Sequence, residues 1–215
     1  MKKIFLIVIL VLFCVTAISA FARAEDINAK IAAKVMSKSE TEIRASNKAL
    51  WESRAILLRA YILAAMNDSQ DAAEAKDKLL KNTRDLGASI QPYYGYFARS
   101  ILIGLLKNDV GLTGEVIKSA KVGNTINLDW SKKNWYANAF AVAGFFAITH
   151  NQTKEDLVKM FYTHLDLTWG EIDAILKKET AKDLEYYEKD RAHMIMVSNV
   201  LVNGLIKQFP ERFKN

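Results

Sequence analysis

Apolar residues recur along this chain every three or four positions, the spacing of helices that bury one face. The clearest stripe is Leu50, Trp51, Leu57, Leu58, Tyr61 and Ala65, and it predicts a helix over about 47–66, ended by Asn67-Asp68-Ser69. A shorter helix is expected over about 70–81, followed by a turn over 82–87. The run Gln91-Pro92-Tyr93-Tyr94-Gly95 reads as the opening of the next helix, because proline's missing N–H costs nothing in a first turn. That helix runs over about 94–121, and Gly104, Gly111 and Gly114 inside it predict a bend or a close helix contact.

A further helix covers about 128–149. Thr153 with Asp156 predicts the start of a short helix to about His164, and Thr168 with Glu171 has the spacing of a capping box for the segment after it. The last helix spans about 181–207 and stops at Pro210. Alternating Val/Ile/Thr runs are nearly absent and prolines are few, which argues against strands. The expected fold class is all-α, an antiparallel bundle of four long helices with short connecting helices.

Ahead of the stripes stands a different pattern. Lys2 and Lys3 precede an almost unbroken apolar run over 4–20, then Ala22-Arg23-Ala24 and the acidic pair Glu25-Asp26. That order is the order of a secretory signal peptide cleaved after Ala24. An uncleaved membrane anchor is the competing reading, although the run is short for a span, which takes about 20 residues. Phe13 before Cys14 does not suit lipid attachment. The division expected is a leader over 1–24, a polar arm or marginal helix over 25–45, and a helical-bundle domain over 46–215. Export to the periplasm or the medium follows, with no stable membrane span after cleavage, and cytoplasmic chemistry driven by ATP or NAD falls out of consideration.

Composition adds limits. The only cysteine, Cys14, lies in the leader, so the mature chain has no disulfide, thiol nucleophile or cysteine metal ligand. The net charge of +6 falls to +3 without Lys2, Lys3 and Arg23. The basic residues are mixed with acidic ones, as on a solvated surface, and no nucleic-acid partner is expected.

Five polar residues fall on the apolar stripes. Arg54 sits between Leu50 and Leu58, Asp109 between Leu105 and Leu112, and Asn138 between Trp135 and Val142. His164 follows Met160 and Phe161, and Asn199 lies between Met196 and Ile206 with Asn203 nearby. A buried charge without a partner is prohibitive, so inward polar groups require one another, water or a ligand. Arg54 and Asp109 form the natural ion pair, since a guanidinium fork matches a carboxylate. The candidate ligand-binding set is therefore Arg54, Asp109, Asn138, His164 and Asn199. Three readings stay open: a structural polar network, a site for a small ligand or ion, and a catalytic centre with His164 as general acid or base.

No metal or other cofactor is expected. A di-iron bundle needs two Glu-x-x-His pairs, and the chain offers only Asp190-x-x-His193. His150, His164 and His193 come from distant segments, and His150 reads as a cap at a helix C-terminus. No Gly-x-Ser-x-Gly elbow, serine–lysine motif or phosphate-binding glycine loop is present. Trp130, Trp135, Tyr136, Phe145 and Phe146 read as core residues of one helix, and Tyr93-Tyr94 as packing at a helix start.

An ordered set of short motifs carries a resemblance. It comprises Leu50-Trp51-x-x-Arg54, Leu79-Leu80-Lys81-Asn82, Gln91-Pro92-Tyr93-Tyr94-Gly95, Trp135-Tyr136-Ala137-Asn138-Ala139, Met160-Phe161-Tyr162-x-His164-Leu165 and Gly204-Leu205-Ile206-Lys207-Gln208-Phe209-Pro210. Over about 50–213 the chain resembles a family of small helical-bundle proteins, uncharacterised in function, common in spore-forming Gram-positive bacteria and often mislabelled acetylglutamate kinase. The resemblance implies a helical bundle and brings no activity with it. Nothing in the chain resembles an amino-acid kinase nucleotide site. Family members usually carry histidine at the positions of Arg54 and Asp109, often aspartate at that of Asn199, and histidine at that of His164. This chain departs by placing an acid and a base of opposite charge where two of those histidines stand, which favours an internal ion pair over a metal. A leader is a further departure.

The function expected is that of an exported, non-enzymatic bundle with a polar internal site, which binds a small ligand or serves as a scaffold for a protein partner. The alternatives are an enzyme using His164 as general acid or base, and a purely structural or interaction protein of the envelope or secretome.

Overall fold

The computed structural model describes residues 40–150 and 153–213. The expected leader and most of the arm, 1–39, lie outside the described residues. The described residues form a helical body, Glu40–Pro210, followed by the short stretch 211–213. All described elements are helical: α1 Glu40–Met66, α2 Ala72–Lys121, α3 Thr125–His150, α4 Lys154–Leu176, α5 Thr180–Gln208 and a single 3-10 turn, Pro210–Arg212. No described helix is long and apolar enough to cross a membrane.

The boundaries correct several expectations. Helix α1 begins at Glu40, so residues 40–45 of the expected arm or marginal helix are helical and continuous with the stripe over 47–66. The turn expected over 82–87 is helical. The stripe Leu79, Leu86 and Ile90 runs straight through it, and Asn82 and Thr83 are buried with partners on α1. Likewise the segment expected to stop near His164 continues to Leu176. Thr168 does not cap a new helix there; its hydroxyl donates back to the carbonyl of His164, one turn earlier in the same helix. The short connecting helices are thus portions of long ones.

Helix α2 is folded back on itself. Gly95 has φ 78° and ψ −179°, a conformation essentially confined to glycine. Arg99 Nη1 donates to Gln91 Oε1 across the reversal at 2.6 Å. A Cβ placed on Gly87 would stand 2.4 Å from Cγ1 of Ile103, whereas in a straight helix those residues would be about 24 Å apart. Gly87 is what lets the two arms touch. Pro92 therefore sits near the end of the first arm rather than at the start of the second. Of the three glycines expected to bend the helix, Gly114 is a close contact: a Cβ there would meet the Tyr61 hydroxyl at 2.6 Å.

Side-chain contacts identify each neighbour. Asn108 meets Asn138, Tyr136 meets Asp166, and His164 meets Asp190, so α2's second arm, α3, α4 and α5 pack in chain order. Helix α5 then returns along α1 through Arg44–Asn203, Glu52–Arg191 and Arg59–Asp183. The second arm of α2 runs the same way as α1, as shown by Arg54–Asp109 and by Lys121 Nζ donating to the Ala65 carbonyl. Each helix packs on the next and α5 closes on α1.

The core is aromatic at one level of this ring. Trp51, Phe146 and Phe161 lie with ring centroids 5.7–6.4 Å apart. Trp135 is fully buried, but Trp130, expected in the core, is 65% exposed. Tyr94 packs on His150 and Phe209, and its hydroxyl donates to Gln208.

Because Gly95 alone makes the reversal, Gly95→Ala is expected to lower stability by about 1–3 kcal/mol. Urea denaturation followed by far-UV circular dichroism checks this; an unchanged midpoint would place the strain elsewhere.

Candidate functional site

The polar residues meet in the middle of the ring. Arg54, 1% exposed, projects from α1 between the two arms of α2. Its Nη2 donates to Asp109 Oδ2 at 2.6 Å and its Nη1 to Thr83 Oγ1 at 3.2 Å. Asp109 also accepts from Trp135 Nε1 at 2.8 Å through Oδ1. One buried carboxylate therefore ties α1, α2 and α3 together. Asn138 lies one turn from Trp135, accepts from Asn108 Nδ2 at 2.9 Å and donates to the Leu105 carbonyl. It bridges α3 to α2, beside the ion pair and not part of it.

His164 stands across the centre on α4, 4% exposed. Its Nδ1 lies 2.7 Å from Asp190 Oδ1 on α5. Its Nε2 is buried and has no hydrogen-bond partner. Burial is the largest influence on this imidazole and lowers its pKa, and the Arg54 charge does the same. The charge and hydrogen bond of Asp190, with the charge of Asp109, outweigh both, so the pKa stands above the ordinary histidine value.

Between the two halves lies a cavity of about 20 Å³ whose walls include Arg54, Asp109 and His164 together with Trp51, Phe161 and Met194. That is room for one water molecule.

Asn199 is not part of this centre. It is exposed, and its neighbour Ser198 is buried instead. The stripe it was set against was out of register, because Met196 is 41% exposed, whereas Met194, Val197, Leu201 and Leu205 form the buried line. Asn203 is also exposed and accepts from Arg44.

Sequence reasoning missed a second buried cluster one turn along. Arg59 Nη1 donates to Glu171 Oε1 at 2.9 Å and to Asp183 Oδ1 at 2.6 Å, and its guanidinium lies 4.6 Å from the centre of the Tyr187 ring. Glu171 is a residue expected to cap a helix; it faces inward from the middle of α4, one helical face with His164 and Thr168. Burial pushes its carboxyl up to about 7, with Asp183 and Asp190 adding and Arg59 opposing. The inward spacing His164, Thr168, Glu171 at three and four residues was the available signal.

The remaining histidines have local roles. His150 is buried against Tyr94 and Phe146, which drives its pKa down to about 3. It is therefore neutral and does not act as a cationic cap. Asp190 and His193 do not act as a pair: Asp190 holds His164, while His193 Nε2 lies 2.8 Å from the Met160 carbonyl. Among the described residues no three His, Asp or Glu side chains converge as a metal site would require.

No family model, curated protein or solved structure matches this chain.

Two measurements follow from this geometry. The Glu171 carboxyl titrates near 4.5 when unfolded and near 7 in the native protein, so between those values the native state binds more protons. Its contribution is full below about pH 4.5 and is lost as pH rises through about 7, a loss of about 3 kcal/mol. His164, also raised, acts in the same direction. His150 and His193, both lowered by burial, oppose this below about pH 6.5, so the Glu171 share is read by difference: between pH 5 and 7 the urea midpoint of Glu171→Gln should rise relative to that of the wild type as pH increases.

Removing Arg54 alone strands a buried carboxylate, so Arg54→Leu is expected to cost about 3–5 kcal/mol. Arg54→Leu with Asp109→Leu should cost less than the sum of the singles, but still about 1–3 kcal/mol, because the Trp135 N–H loses its acceptor. A double-mutant cycle by urea denaturation reads both numbers.

Proposed function

We propose that this protein is an exported, non-enzymatic helical bundle whose polar centre binds a small ligand. The observation that carries the reading is the unpartnered Nε2 of His164, buried beside a cavity that Arg54 and Asp109 also line. A purely structural network would be expected to satisfy its own donors and acceptors. At about 20 Å³ the cavity beside His164 bounds any ligand there to about the size of a water molecule. Export rests on the leader pattern in residues 1–24, and the resemblance to uncharacterised helical-bundle proteins adds the architecture, an antiparallel bundle, but no chemistry. A role as a scaffold for a protein partner is compatible with the same fold.

One observation favours a second reading. A histidine held at Nδ1 by a carboxylate, with Nε2 free, is the arrangement of a general acid or base. On that reading His164 and Asp190 act on a molecule in the cavity, with Arg54 and Asp109 orienting it.

Native mass spectrometry on the mature chain, purified from its own compartment without chelators, tests binding. The expected result is an excess mass that disappears on denaturation and is absent from His164→Phe. A bare polypeptide mass for the wild-type protein would overturn the ligand reading and leave the scaffold.

A further inference from the structure

The second arm of α2 and α3 share an outer face unlike the rest of the surface. The two run antiparallel: Tyr94 packs on His150, the Leu105 carbonyl accepts from Asn138, and Asp109 accepts from Trp135. Each step along one helix is thus matched by a step back along the other. At spacings of three and four residues, α3 turns outward Trp130, Asn134, Ala137, Ala141, Gly144 and Ile148. The adjoining rim of α2 adds Phe97, Ile101, Gly104, Asn108 and Gly111. None of these positions carries a charge, in a chain of which 25% is charged.

Large apolar side chains stand at the two ends of this face. Phe97 is 79% exposed and Ile148 83% at one end, and Trp130 is 65% exposed at the other, with Val122 and Ile126 exposed beyond it. These five leave on the order of 700 Å² in water, more than the roughly 300–600 Å² of the largest patch on an ordinary monomer and close to the roughly 800 Å² that each partner gives to a stable interface.

The middle of the face is small. A Cβ on Gly104 or on Gly111 would meet nothing within 4 Å. The packing of the bundle therefore asks for neither glycine, although glycine inside a helix is less stable than alanine. What the two glycines do permit is the close approach of another backbone.

Along α3 the order of large, small and large residues is its own complement. On a second copy laid antiparallel, with the two-fold axis between Ala137 and Ala141, Ala137 faces the partner's Ala141 and Asn134 faces the partner's Gly144. Trp130 then faces the partner's Ile148, with the partner's Phe97 beside it. Each contact occurs twice, as a two-fold interface requires. A tryptophan buried at each end is the kind of anchor that carries interface energy. A lipid surface has no backbone to bring close to glycine and alanine, and it would favour an apolar edge over a face that is small at its centre.

We propose that this protein is a two-fold dimer paired through α3, with the helices antiparallel about Ala137 and Ala141 and Trp130 of each copy seated against Ile148 and Phe97 of the other. The surface is separate from the His164 centre, and the proposal does not rest on the ligand-binding reading.

Sedimentation equilibrium tests it on the protein purified from its own compartment, at about 50 µM, above the micromolar dissociation constants that are the weak limit for interfaces of this size. The expected mass is twice that of one chain. Trp130→Ala, which removes only an exposed side chain, should weaken pairing by about tenfold or more. Ala141→Glu should give the mass of one chain with an unchanged far-UV circular dichroism spectrum. The arrangement is read with two double variants, Ala137→Lys with Ala141→Lys and Ala137→Glu with Ala141→Glu. Each alone should sediment as one chain, and an equimolar mixture should return to twice that mass, because the introduced charges then face their opposites. A wild-type protein of single-chain mass would overturn the proposal; flotation with anionic vesicles that Trp130→Ala abolishes would then assign the face to a membrane surface. A dimer unchanged by both Trp130→Ala and Ala141→Glu would put the contact elsewhere on the molecule and overturn it too. A mixture that stays at single-chain mass would overturn the antiparallel pairing.

Discussion

The structure turns on one buried contact, Arg54 to Asp109 at 2.6 Å. Burying both ions costs several kcal/mol each, which their attraction offsets only where the geometry and the remaining hydrogen bonds are good. That condition reaches outward. The spare oxygen of Asp109 requires Trp135 to lie where its indole N–H can donate, which fixes the rotation of α3. The spare donors of Arg54 require Thr83, which holds the first arm of α2 against α1. Thr83 and Asp109 can both reach one guanidinium only because α2 doubles back at Gly95. A glycine with φ 78° and a buried arginine are thus two halves of one arrangement.

The second polar group follows the same logic on the opposite side. Asp190 orients His164 and holds its pKa up against burial, and Arg59 gathers Glu171 and Asp183 a turn away. Four helices bring charge into a space that aromatic side chains otherwise fill. In so low a dielectric, satisfied pairs rigidify a core and any group without a partner stands out. His164 Nε2 stands out in this way, at the place where packing also leaves a gap.

Part of this was legible in the chain. Arg54, Asp109, Asn138 and His164 could be read as inward-facing because each has apolar residues three or four positions away on both sides, and the periodicity of α1, α2 and α3 is regular. Asn199 was misread because Met196, taken as a core position, faces solvent, and one residue along a helix turns the side chain by about 100°. Asp183 was not singled out, and Asp190 was weighed only beside His193, for a different reason. They lie among Glu185, Lys189 and Arg191, a run that reads as a solvated face, and only the packing of α5 against α1 and α4 turns two of its acids inward. The reversal at Gly95 was hidden because proline three residues earlier offered a simpler account of the same stretch.

The order in which the ring is closed has a consequence for how the chain comes off the ribosome. Neighbouring helices can pair as they emerge, N-terminal first. The partners of His164 and Glu52, and one of the two carboxylates on Arg59, reside on α5: Asp190, Arg191 and Asp183. Until that last helix is free, the nascent bundle carries an open seam along α1 and α4, lined by polar groups that still await partners. Such a long-range closure is slow to form. The interval before it is when a chaperone, or an export machine that needs an unfinished chain, would find this protein receptive.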